Sequence, residues 1–88
     1  MNNIKKNILI VDDDINTSLK YKKWLEQEVQ ENFNITLIND PNVVEQIFKP
    51  ENYNLVLIGF RMSMIDAFDL YSRLYTLSKR YTRYIIIK

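Results

Sequence analysis

Asn7-Ile8-Leu9-Ile10-Val11-Asp12-Asp13-Asp14 is the stretch that decides how this chain folds: four consecutive apolar residues run, without polar alternation, into three carboxylates. A short apolar run of this kind suits a strand covered on both faces, as in a parallel sheet with helices above and below. The acids then stand at the strand's carboxyl end. In open α/β sheets ligands bind in the crevice beyond those ends, where loops diverge. The first strand therefore predicts both a fold class and the place to look for chemistry.

Downstream, Ile15, Leu19, Tyr21, Leu25 and Val29 fall on one side of a helical wheel, and an amphipathic helix is expected over 15–31, with Lys20, Lys22 and Lys23 on its solvated face. Ile35-Thr36-Leu37-Ile38 reads as a second strand. Asn39-Asp40-Pro41 is a helix start, with Asp40 as N-cap, Pro41 in the first turn, and Val44, Ile47 and Phe48 as the buried side. Pro50 and Asn52 end that helix. Residues 53–60 repeat the look of the first strand and lead into a loop, Arg61 to Ile65. Asp66 is placed to cap a third helix running through Phe68, Leu70, Tyr71, Leu74 and Leu77 to a basic end at Lys79 and Arg80. Tyr84 to Ile87 is a fourth strand, and Tyr71, Tyr75, Tyr81 and Tyr84 are read as packing between the last helix and strand. Strands alternating with helices imply right-handed crossovers and a mostly parallel sheet.

Composition narrows the function. The 88 residues hold one small domain. A net charge of +1 gives no reason to expect nucleic acid or an acidic membrane as partner. With no cysteine there is no disulfide, zinc-thiolate site or thiol nucleophile, and with no histidine the commonest general base is missing. No stretch has the form of a signal peptide or a membrane span, so a cytoplasmic protein is expected.

At this point the residues resemble the receiver domain of two-component response regulators over essentially the whole chain. In that family a strand like Ile8 to Val11 ends in an acidic pair matching Asp12 and Asp13. The third strand leads to a phosphoacceptor aspartate and a loop of the form Met-Pro-x-Met-Asp-Gly. Here Met62, Asp66, Phe68 and Leu70 match, whereas the proline is Ser63 and the glycine is Ala67. The decisive departure is Gly59, which holds the phosphoacceptor position. Receiver chemistry needs a carboxylate nucleophile there, with neighbouring acids holding magnesium against the phosphoryl oxygens. The resemblance implies Asp13 as direct magnesium ligand, Asp12 acting through water, and the backbone carbonyl of Arg61 as a further oxygen, giving weak magnesium binding and no required cofactor.

The implied fold is α/β, an open, mostly parallel receiver (flavodoxin-like) sheet, β-α-β-α-β-α-β. It forms a single domain over 1–88, truncated by the last helix-strand-helix, so that Lys88 does not correspond to the fifth-strand lysine of the family. The implied function is a degenerate receiver module of a phosphorelay. It is not an enzyme, is not phosphorylated at the usual position, and acts by protein–protein contact with a histidine kinase, another regulator or a second copy of itself. The alternatives are a phosphorylation-independent magnesium switch using Asp12 and Asp13, or a fragment of a gene. A haloacid-dehalogenase-type phosphatase built on Asp12-x-Asp14 lacks the small residues expected next, where Ile15-Asn16-Thr17 stand. A calcium loop over Asp12-x-Asp14-x-Asn16 fails at Thr17 and Lys23, which occupy the turn glycine and the terminal acid. The short chain is also expected to leave part of one sheet face bare and the fourth strand as an exposed edge. Pairing of that edge at Ile85 and Ile87 in a dimer would relieve both faults.

Overall fold

A computed structural model describes residues 6–28, 32–78 and 82–87. Its elements are β1 (Lys6–Val11), α1 (Ile15–Glu28), β2 (Phe33–Ile38), α2 (Pro41–Ile47), a short 3-10 turn (Pro50–Asn52), β3 (Leu55–Gly59), α3 (Ala67–Ser78) and β4 (Arg83–Ile87). The strands form one parallel sheet in the order β2-β1-β3-β4. The expected alternation and sheet type are both present. Val29, Lys79, Arg80, Tyr81 and Lys88 lie outside the described residues, and with them the expected end of the first helix and the basic end of the third.

β1 sits in the middle of the sheet and its apolar run is buried on both sides, each of Ile8, Leu9, Ile10 and Val11 being at most 1% exposed. Leu9 and Val11 join Val44, Val56, Ile58, Leu70 and Leu74 in the larger core, under α2 and α3. Ile8 and Ile10 join Leu25 and Leu57 in the smaller one, under α1. The alternation of side chains along a strand divides the run between these two layers. No helix of the described residues is long and apolar enough to cross a membrane.

Both predicted caps are formed. Asp40 Oδ1 accepts from the Asn42 N–H at 3.0 Å with Pro41 in the first turn of α2. Asp66 Oδ1 accepts from the N–H groups of Phe68 and Asp69 at 2.9 and 3.1 Å. The predicted helix faces need correction. On α1, Ile15 and Leu19 are exposed, and the face toward the sheet is Ser18, Tyr21 and Leu25. Ser18 is fully buried because its small side chain lets the helix approach the sheet and its hydroxyl finds partners there. On α2, Ile47 is exposed while Val44 and Phe48 are buried, and on α3 Phe68 and Leu77 are exposed while Leu70 and Leu74 are buried. β3 is shorter than expected, since Tyr53 and Asn54 precede it; Tyr53 stacks on Phe48 with ring centroids 5.9 Å apart. Tyr71, Tyr75 and Tyr84 form an aromatic cluster between α3 and β4, with the Tyr84 hydroxyl hydrogen-bonded to the Ser78 hydroxyl. That cluster is the packing expected of them.

The bare face is present too. α1 covers the β1 side of the sheet and leaves an apolar groove of about 710 Å³ over Leu55, Leu57, Ile85 and Ile87. Among the described residues, β4 pairs only with β3, so its other edge is open.

Candidate functional site at the strand ends

The carboxyl ends of β1 and β3 lie side by side, with Val11 opposite Ile58. The three acids that follow β1 therefore arrive next to Gly59, and each takes a different task.

Asp12 is 4% exposed. Its Oδ1 accepts from the Asp14 N–H at 2.9 Å, and the rest of its carboxyl leans over Gly59. A Cβ added at Gly59 would fall onto Oδ2 and lie 2.6 Å from Cγ of Asp12. A side chain at the end of β3 would therefore require the Asp12 carboxyl to move. Burial pushes the Asp12 carboxyl above the usual value; the Asp14 N–H opposes this, and the negative charges of Asp13 and Asp14 add to it. The Asp12 backbone is pinned as well, its N–H donating to Ile38 O at 3.2 Å and its carbonyl accepting from Asn39 Nδ2 at 2.7 Å. Asn39 Nδ2 also donates to the Ser18 hydroxyl at 3.0 Å, so one side chain ties the end of β2 to β1 and α1.

Asp13 turns across to the loop after β3. Its Oδ2 accepts from the Ser63 N–H at 2.7 Å and from the Ser63 hydroxyl at 3.0 Å. A proline at that loop position could give neither bond. Asp14 is the N-cap of α1: Oδ1 accepts from the Asn16 N–H at 3.0 Å and Oδ2 from the Thr17 hydroxyl at 2.9 Å. The Thr17 hydroxyl and then the Asn16 N–H hold the Asp14 carboxyl below the usual value, with Lys20 contributing.

Asp12, Asp14, Thr17, Lys20, Phe60 and Arg61 line a cleft of about 420 Å³ beside these strand ends. Asp13 and Asp12 therefore do not aim at a common point. Among the described residues, no three His, Cys, Asp or Glu side chains are grouped to hold a metal ion, and no ion pair joins Arg61 to the acids. Magnesium is commonly held by one or two carboxylates plus waters; here Asp12 leans over Gly59 and Asp13 is bonded to Ser63. Asp14, Asn39 and Ser63 carry the local structure; the sequence gives Asn39 and Ser63 no site role and places Asp14 only in the rejected phosphatase and calcium-loop patterns. Only Asp14 had a local signal, an acid three residues before a threonine at a helix start.

At a TM-score of 0.74 and 23% identity, the chain matches the non-phosphorylated HemR receiver domain from Leptospira biflexa, over 93% of this chain and 64% of that one. The chain has the receiver fold. The response regulator MaeR bound to beryllium trifluoride matches at 0.68 and 24% identity, over 93% of this chain and 66% of that one. The receiver domain of Ssk1 from Saccharomyces cerevisiae, in co-crystals with the histidine phosphotransfer protein Ypd1, matches at 0.67 and 15% identity, over 93% and 61%. The chain thus spans somewhat under two thirds of the length of these receiver structures. No family model and no curated protein sequence matches it.

Proposed function

We propose that this chain is a receiver-fold protein–protein module of two-component phosphorelay signalling that works without phosphorylation at the end of β3. The observation that carries the reading is the occupation of the strand-end site by the chain's own groups. Gly59 offers no carboxylate, and Asp12 fills the space above it. Asp13 is bonded to Ser63 and Asp14 to α1. An acyl phosphate needs a carboxylate nucleophile in line with the donor and a cation on the phosphoryl oxygens. Gly59 supplies no such carboxylate at the end of β3, and docking through the surface of the receiver fold needs none. The partner is a cytoplasmic histidine kinase, phosphotransfer protein or another regulator; the Ssk1 receiver in complex with Ypd1 supports that class of partner for the fold.

The second reading, a magnesium switch through Asp12, Asp13 and the Arg61 carbonyl, requires Asp13 to leave Ser63 and Asp12 to leave Gly59. The first reading is preferred because both carboxylates already have partners within the chain. The test of the first reading is calorimetric titration of a histidine phosphotransfer partner with the chain, with and without acetyl phosphate and magnesium. Equal affinity in the two conditions is expected. Binding that appears only with the phosphoryl donor would overturn the proposal.

A further inference from the structure

The loop between β3 and α3, residues 61–66, is fastened to its surroundings in three ways. Ser63 gives two hydrogen bonds to a single oxygen, its N–H at 2.7 Å and its hydroxyl at 3.0 Å from Asp13 Oδ2. Asp66 accepts from the N–H groups of Phe68 and Asp69 and so joins the loop to α3. From beneath, Met62 and Ile65 pack against the larger core. Of these anchors Ser63 is the one that reaches the end of β1, 50 residues away in the chain.

The two donors of one residue on one carboxylate oxygen are made together only in a single arrangement of loop and side chain, and the carboxylate's charge strengthens each. Because the chain itself delivers them, their effective concentration at Asp13 is about millimolar or higher whatever the solution contains. A divalent cation drawn to the same carboxylate has to displace them and to shed part of its own water shell. We propose that Ser63 is an autoinhibitory latch: by occupying Asp13 it keeps divalent cations off the end of β1 and fixes the β3–α3 loop in one conformation. This rests on the reading above, in which the chain's own groups fill the strand-end site, and adds which residue keeps Asp13 filled. With the latch closed, the loop has the same shape at any level of magnesium or phosphoryl donor. Alanine at this position would retain only the N–H, whereas threonine would retain both donors.

The test is nuclear magnetic resonance of the isotope-labelled full chain, with manganous ion as the probe, since it takes carboxylate oxygens and broadens the amides beside which it binds. Two quantities are read: the exchange rate of the Ser63 amide, and the manganese concentration that half-broadens the amides of Asp12, Asp13 and Asp14. The parent chain is expected to protect the Ser63 amide, and Asp13→Ala to abolish that protection. Ser63→Ala should lower the half-broadening concentration about threefold or more, through the loss of one hydrogen bond to a charged group. Ser63→Thr should behave as the parent, a rescue that a loop held by packing alone does not produce. The amide spectra establish that each variant is folded. An unprotected Ser63 amide in the parent chain would overturn the proposal. So would an unchanged or weaker manganese response in Ser63→Ala, which would make Ser63 an orienting partner of Asp13 and not a competitor for it. Absence of broadening in every variant would overturn it as well, because Ser63 would then exclude nothing. Phosphoryl-dependent binding of a histidine phosphotransfer partner, the result that overturns the proposed function, moves none of these readouts.

Discussion

Gly59→Ala is the most informative single perturbation of the strand ends. The new methyl group would coincide with the Asp12 carboxyl, 2.6 Å from its Cγ. The end of β3 is held on both sides, Ile58 pairing with Val11 of β1 and Gly59 with Ile87 of β4. Asp12 must therefore rotate, and rotation breaks the 2.9 Å bond from the Asp14 N–H to its Oδ1. A hydrogen bond to a charged group contributes about 1.5–3 kcal/mol. Against this, alanine in place of glycine in a strand gains about 0.5–1 kcal/mol through the unfolded chain. The expected net loss is about 1–2 kcal/mol, read as a lower urea midpoint at unchanged slope. In the background of Asp12→Ala the carboxyl is gone, and G59A should be neutral or slightly stabilising, giving a coupling of about 1–3 kcal/mol in the double-mutant cycle. Stabilisation by G59A alone, or the same cost in both backgrounds, would refute the assignment of that space to Asp12.

Further expectations concern the neighbouring groups. Because burial raises the Asp12 carboxyl above 3.8, its contribution to stability is fully present below that value and is lost as pH rises through the higher folded value. Asp12→Asn does not titrate, so its stability relative to the parent chain should increase with pH through that window; a pH-independent difference in urea midpoint would contradict this. Asp14 is lowered and behaves in the opposite sense, its contribution being present above 3.8 and lost as pH falls through the folded value. Asp14→Asn should flatten that acid-side loss. Asn39→Ala removes the 2.7 and 3.0 Å bonds to Asp12 O and Ser18 and should cost about 1–2 kcal/mol. Ser63→Pro removes both donors to Asp13 and should cost about 1 kcal/mol, while magnesium affinity by calorimetry should rise as Asp13 is released.

Local chemistry was legible in the sequence where a single element decided it. The apolar run of β1 announced burial on both faces, and Asp40 and Asp66 announced their helices, because strand burial and capping depend on residues within a turn or two. The α1 face was not legible, because a hydropathy wheel favours Ile15 and Leu19 and has no means of choosing Ser18, whose burial depends on Asn39 in a different loop. The same limit hid the site. The Ser63 bond to Asp13 spans 50 residues and the Asn39 bond to Asp12 spans 27, and neither the helix start that holds Asn39 nor the loop pattern that holds Ser63 points to so distant a partner. Gly59 was visible as a missing carboxylate; that Asp12 fills its place emerges only when β1 and β3 lie in register.

In the proposed function, the chain's own groups close the strand-end site to phosphoryl chemistry. Intact-mass spectrometry after incubation with acetyl phosphate and magnesium tests it most directly. An unchanged mass is predicted, whereas a hydroxylamine-labile phosphoryl adduct on any of Asp12, Asp13 or Asp14 would contradict it.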